Sequence, residues 1–261
     1  MMGIPVVVCG AGRMGSTVID GLLRDSRFRL AGVVEREGYT GEGVWRSKVP
    51  LITSSKFSEF LISWKGAVVV DFTNPEASME NAEVAVSRGC NLVIGTTGLN
   101  KEQKGKLSTL IKEANLSAVV SPNFSIGVNI FWMICEKVAR YMPDADIEII
   151  ELHHRGKKDA PSGTALHAGE IISRVSGIDT FTFGRKGEKP RGREIGIHSI
   201  RSGDIVGEHT VLFGCDGERI EITHRAHSRV AFVRGCLRAI EWVYNRRDGV
   251  VHNFSDVLGV C

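Results

Sequence analysis

Over its first 123 residues the chain alternates short apolar runs, at positions 5–9, 30–35, 67–72, 92–95 and 118–121, with amphipathic stretches long enough for helices. Parallel neighbours in a sheet need a crossover of a dozen or more residues, so this alternation predicts βαβ units and a parallel sheet. Between the runs, Met14, Val18, Ile19, Leu22 and Leu23 fall on one helical face, and Pro75 stands where a helix would open. The first half therefore reads as a doubly wound, Rossmann-type parallel sheet of the α/β class.

The pattern changes after Asn123. A nearly all-apolar helix over 128–142 leads into a strand at 147–152, a loop, and a helix from 163 to about 175. Within the helix, Phe131, Ile134, Cys135 and Val138 form a stripe that predicts core packing. Segment 181–193 mixes Gly184, Gly187, Pro190 and Gly192 with Lys and Arg, which predicts an exposed, mobile loop. Three strand-like runs follow at 194–200, 204–213 and 219–224. Their junctions at 201–203 and at Asp216-Gly217, a tight-hairpin signal, predict an antiparallel meander. A last helix at 232–244 has an apolar face suited to docking on the first domain. The expected layout is a first domain of residues 1–124 completed by 230–261, and a smaller α+β domain, 125–229, with a mainly antiparallel sheet.

The formal net charge of +3 is too small to argue for a nucleic-acid partner. The six cysteines include no C-x-x-C pair that would make a zinc or redox site, and are expected to be reduced. The apolar run at 4–9 is far shorter than a signal-peptide core or a spanning helix requires, so no membrane association and a cytoplasmic location are expected.

The sequence Gly10-Ala11-Gly12-Arg13-Met14-Gly15 follows the first strand and opens a helix. Without side chains there, a turn can be tight, the backbone can approach a pyrophosphate, and helix N–H groups can face its charge. Glu35 ends the second strand 20 residues beyond Gly15, where a carboxylate would grip the ribose hydroxyls of NAD. Arg36 beside it would pair with the 2′-phosphate of NADP. The expectation is that both NADH and NADPH serve.

Residues 153–164, His153-His154-Arg155-Gly156-Lys157-Lys158-Asp159-Ala160-Pro161-Ser162-Gly163-Thr164, gather two imidazoles and three cations at a helix start. Cations and helix N–H groups together suit a small substrate with more than one negative charge. Histidine is the side chain suited to proton transfer near neutral pH, and a nearby Lys or imidazolium can stabilise or quench charge left by hydride addition. A reductase of a small anionic molecule is the reading that follows.

These motifs, with Asp71-Phe72-Thr73, Gly95-Thr96-Thr97-Gly98, residues 123–129 and residues 203–210, resemble the 4-hydroxy-tetrahydrodipicolinate reductase family over nearly the whole chain. The glycine turn is one residue shorter than that family's common G-x-x-G-x-x-G. The resemblance implies NAD(P)H-dependent reduction of a cyclic, unsaturated imine dicarboxylate to tetrahydrodipicolinate in lysine and diaminopimelate biosynthesis. It implies that His153 is the proton donor or acceptor and Lys157 a second donor, with His154, Gly163 and Thr164 on the substrate carboxylates. It also implies that Gly95, Thr96 and Thr97, with Ser121, Pro122, Asn123 and Phe124, line the nicotinamide half of the cofactor, and that the second domain's sheet builds a homotetramer.

Two other readings make different demands. A thiol-dependent aldehyde dehydrogenase needs a reactive Cys, for which Cys90 and Cys135 are the candidates, yet both lie in apolar stretches. A non-catalytic dinucleotide sensor leaves the 153–164 run unexplained. His224 and His227 near His209 are read as strand histidines, and no metal is expected.

Overall fold

The computed structural model describes residues 3–41 and 43–259. The chain divides into two units, Met1–Ser125 with Phe232–Cys261, and Ile126–Ala231. In chain order the elements begin with β1 (Ile4–Cys9), α1 (Arg13–Arg24), β2 (Phe28–Glu35), β3 (Leu51–Thr53), α2 (Phe57–Phe60), β4 (Val68–Asp71), α3 (Pro75–Ser87), β5 (Asn91–Ile94), α4 (Lys101–Glu113) and β6 (Ser117–Val120). Next come α5 (Ile126–Tyr141), β7 (Asp146–His153), α6 (Gly163–Ser176), β8 (Phe181–Phe183), β9 (Ile195–Arg201), β10 (Gly207–Cys215) and β11 (Glu218–Ala226). The chain ends with α7 (Val230–Val243), β12 (Val250–His252) and α8 (Phe254–Leu258).

The first unit holds a seven-stranded parallel sheet in the order β12-β6-β5-β4-β1-β2-β3. Its central strands are buried on both faces, which is why they read as continuous apolar runs rather than alternating ones. Helix α1 buries Val18, Ile19 and Leu22 on the expected face. Pro75 opens α3 behind Asn74, whose side chain accepts the Ala77 N–H at 3.0 Å. The outermost strands, β3 and β12, escaped sequence reading because three residues carry no periodicity. Helix α7 packs against α1 at Gly21, where a Cβ would stand 2.3 Å from Val233 Cγ1.

The second unit is a mixed sheet in the order β11-β10-β7-β9-β8. Asp216-Gly217 closes the β10–β11 hairpin as expected, with Gly217 at φ +85°. The three-stranded meander does not form. Strand β7 inserts between β9 and β10, antiparallel to β10 and parallel to β9. Both faces of β7 have work: Ile147, Ile149, Glu151 and His153 are buried, while the alternate residues are at least partly exposed. Helices α5 and α6 pack against each other, and with β7, β9 and β10 they enclose a core including Trp132, Ile149, Ile172 and Phe213.

Two further expectations are corrected. Segment 181–193 is mostly exposed, as expected, but it begins as strand β8 and is then tied down, because Arg185 and Arg191 both bind Glu148, at 2.8 and 3.2 Å. Gly196 makes room for that carboxylate. On α5, Phe131 and Cys135 are core but Ile134 is 38% exposed, since a helix covered on one side buries only part of an all-apolar circumference. Cys9, Cys90, Cys135, Cys215 and Cys236 are free thiols, and Cys261 lies outside the described residues.

Candidate active site

In the first unit, the carboxyl ends of β1, β2, β4, β5 and β6 deliver every residue expected to touch a dinucleotide. Chain order reverses between β1 and β4, the position where open parallel sheets form a ligand crevice. Gly10 sits at φ +89° with the Phe72 carbonyl 2.6 Å from where a Cβ would lie. A Cβ on Gly15 would stand 1.8 Å from the Gly10 carbonyl oxygen. Those two glycines are explained by close packing alone. Gly12 is not: a Cβ there meets nothing within 4 Å, and the residue is the exposed N-cap of α1. An open cradle at a helix N-terminus fits a pyrophosphate.

Glu35 ends β2 and accepts the Ala11 N–H at 2.5 Å, so its carboxylate lies against the turn. Tyr39 donates its hydroxyl to the Ala11 carbonyl at 3.3 Å. Arg13 and Arg36 are exposed, and Met14 is half-buried. Sequence reasoning did not assign a role to Asp71, which is 1% exposed at the end of β4. It accepts from Thr96 Oγ1 at 2.6 Å, Thr73 Oγ1 at 2.8 Å and Asn81 Nδ2 at 2.8 Å, tying the Gly95–Thr97 turn to the loop after β4. Gly95 accommodates the Phe72 ring, and Thr97 is exposed. Ser121 Oγ donates to the Asn123 carbonyl at 2.8 Å. Pro122 is exposed, whereas Phe124 is buried edge-on between Phe72 and Phe254.

In the second unit, His153 ends β7 and is 9% exposed. Its Nδ1 lies 2.5 Å from Glu151 Oε2. Residues two apart on a strand share a face, so this carboxylate was legible as a partner and was missed. Glu151 is completely buried and also takes the Ser162 N–H at 3.1 Å and both Arg201 terminal nitrogens, at 2.9 and 2.7 Å. Burial pushes its pKa up, but the His153 and Arg201 hydrogen bonds outweigh burial and hold it at about 2. Glu151 is therefore ionised and accepts only, which leaves the ring proton on His153 Nδ1. The other nitrogen, Nε2, faces Gly207, where a Cβ would come within 3.0 Å.

His209 packs edge-on against His153 with ring centres 5.2 Å apart and shares a 3.0 Å hydrogen bond with Ser162 Oγ. Burial and the His153 charge press its pKa down to about 3, so it is neutral. Ser162 caps α6 through the Ala165 N–H at 3.2 Å. Gly163 and Thr164 form the first turn; a Cβ on Gly163 meets nothing within 4 Å. His154 is half-buried, and Lys157 is bound to Asp159 at 2.8 and 2.9 Å. Among the described residues no cluster of three or more potential metal ligands exists. Burial raises the thiol pKa of Cys90, and that of Cys135 to about 12, leaving neither a nucleophilic thiolate.

The two halves of the chain match two family models, the N-terminus of dihydrodipicolinate reductase at residues 4–124 and its C-terminus at residues 127–258. Among curated proteins, the 4-hydroxy-tetrahydrodipicolinate reductase of Methanocaldococcus jannaschii is 47% identical, with 98% of each chain covered. That of Methanosarcina barkeri is 44% identical over 98% of this chain and 100% of its own. Among solved structures, dipicolinate-bound dihydrodipicolinate reductase from Paenisporosarcina sp. TG-14 superposes with a TM-score of 0.80 at 27% identity, covering 98% of this chain and 99% of that one. With both halves matched in order and the glycine turn and the His153 loop each in place, the chain belongs to the dihydrodipicolinate reductase family.

Proposed function

We propose that the protein is a 4-hydroxy-tetrahydrodipicolinate reductase that uses NADH or NADPH to reduce a cyclic, unsaturated imine dicarboxylate to tetrahydrodipicolinate. The observation that carries this reading is the Glu151-anchored His153 at the head of a cationic loop, in a chain related to such reductases along its whole length. A bound nicotinamide supplies the hydride. Gly12 and the start of α1 hold the pyrophosphate, Glu35 the ribose, and the 95–97 and 121–124 loops the nicotinamide half. His154, Gly163 and Thr164 bind the substrate carboxylates, since a helix N-terminus and cations stabilise anions together. His153 Nε2 or Lys157 Nζ donates the one proton that, with the hydride, completes the two-electron reduction, and the other cation stabilises the negative charge left on the substrate.

A coupled assay that condenses pyruvate with aspartate semialdehyde and follows nicotinamide absorbance tests the activity. Consumption of the reduced cofactor is expected; binding without consumption would instead favour a dinucleotide sensor. Arg36 favours the 2′-phosphate and Glu35 opposes it, so kcat/KM for the two cofactors should differ by less than about 100-fold, roughly 2.7 kcal/mol. A larger ratio would contradict dual use.

The homotetramer belongs to the same proposal. Strand β11 is an edge strand with Ile220 42% exposed, and Ile200 on β9 is 43% exposed. An open strand edge with apolar side chains beside it can pair with a second copy of the chain. Light scattering should give the mass of four 28.5 kDa chains; a monomer at micromolar concentration would rule the assembly out. Among the described residues no helix is long and apolar enough to cross a membrane.

A further inference from the structure

The reductase reading leaves one part of the second unit without a task. Arg201, at the end of β9, spends both terminal nitrogens on a carboxylate that already has a histidine partner. Strands β7 and β9 run parallel with His153 beside Arg201, so the guanidinium reaches back two residues along β7 to the buried Glu151. It binds there as a two-pronged fork, at 2.9 Å to Oε2 and 2.7 Å to Oε1, and donates also to the Asp159 carbonyl at 2.6 Å. Its side chain is 19% exposed and that of Glu151 is not exposed at all. On the opposite side of β7, His209 of β10 is paired in register with Glu151. The carboxylate is thus enclosed by β9, β10 and the start of α6, with every direct partner a donor.

Resting on the proposed function, we infer that Arg201 and Glu151 form a positioning relay for His153. Glu151 fixes the ring proton on Nδ1 and so presents Nε2 to the substrate; Arg201 offsets the carboxylate's charge and keeps it from over-stabilising the imidazolium. The physical argument compares the relay with each of its parts. The Glu151 carboxylate lies 2.5 Å from the His153 ring, and in general a proton donor held too tightly by an acceptor transfers poorly. A cation on the far side of the same carboxylate weakens that pull without disturbing the hydrogen bond. Arginine suits the task because its planar fork engages both oxygens at once, whereas a lysine ammonium offers only a point charge. Of the other ionisable groups, neutral His209 on β10 packs against the ring, His154 and Arg155 follow it in the chain, and Lys157 and Asp159 pair with each other in the loop after β7. Ser162, the N-cap of α6, contributes an N–H to Glu151 and no charge.

The relay predicts shifts of opposite sign, which loss of a merely structural contact does not produce. In Arg201→Met the imidazolium is favoured, so the ring keeps its proton to higher pH, and the corresponding limb of kcat/KM against pH moves up by at least about half a unit. In Glu151→Gln the imidazolium is disfavoured and the same limb moves down by at least as much. Arg201→Lys, which keeps the charge and loses the fork, falls between wild type and Arg201→Met in limb position. Histidine-ring nitrogen NMR on the ligand-free, full-length protein, assigned with His153→Asn, reads the tautomer directly. Wild type is expected to carry the neutral-form proton on Nδ1, and Glu151→Gln to lose that preference.

Limbs that move in the same direction or stay still, or a wild-type ring protonated on Nε2, would overturn the relay. If a variant folds too poorly for kinetics, the wild-type tautomer still decides against or for it. If the protein proves to lack reductase activity, the proposed function fails while the NMR measurement continues to judge the relay on its own.

Discussion

Replacing Lys157 by alanine is expected to lower turnover by about 100-fold or more while dinucleotide affinity stays within about twofold, since groups that donate protons or stabilise developing charge typically contribute that much. The ammonium is positioned by Asp159, at 2.8 and 2.9 Å, and by a turn in which the Lys157 N–H donates to the His154 carbonyl at 3.1 Å. Asp159 is 62% exposed, so the pair is a surface one. Such pairs contribute about 0–1 kcal/mol, and the lysine can exchange Asp159 for a substrate carboxylate at little cost. For the same reason its removal leaves the fold intact, and lost activity will not be lost structure. Steady-state turnover alongside calorimetric titration with NADH measures both halves of the expectation. A fall below tenfold, or a collapse of NADH binding with catalysis preserved, would remove Lys157 from its assigned role.

The second large effect separates two glycines that a motif treats alike. Gly15→Ala should lower stability by about 2–3 kcal/mol, which for a protein of this size is a drop of roughly 5–10 °C in Tm. Its new methyl would meet the Gly10 carbonyl oxygen, a backbone atom that cannot step aside. Gly12→Ala meets nothing within 4 Å, and its backbone at φ −66° and ψ −170° is open to any residue. Its Tm should stay within a few degrees of wild type, while affinity for NADH and NADPH falls by about tenfold or more because the methyl occupies the space a pyrophosphate needs. Thermal melts and cofactor titrations of the two variants decide the matter. If Gly12→Ala binds dinucleotide as wild type does, the open cradle is not a pyrophosphate site.

Several elements were legible because their signals are local. The central strands of the first sheet announce themselves as continuous apolar runs, α1 by its buried stripe, α3 by Pro75, and the β10–β11 hairpin by Asp216-Gly217. Strands β3 and β12 were lost because three residues at a sheet edge carry too little pattern. The meander failed for another reason. Runs 194–200, 204–213 and 219–224 are strands as read, but nothing in a strand's own residues says which neighbour it takes. The 181–193 segment looked loose because its glycines and charges match a solvated loop, and the carboxylate that pins it, Glu148, lies some forty residues earlier.

What the sequence by itself determined is therefore the chemistry on offer: a glycine turn after a first strand, Glu35 at the end of a second, and an imidazole and cations at a helix start. The tertiary structure decided how that chemistry is held. By inserting β7 between β9 and β10, the fold sets Arg201 beside His153 and His209 beside Glu151, from strands some fifty residues further along the chain. A hydrogen-bonded ladder can join segments at any separation in sequence, and so local pattern supplies the strands while global packing alone selects the order that makes a bare histidine into an oriented one.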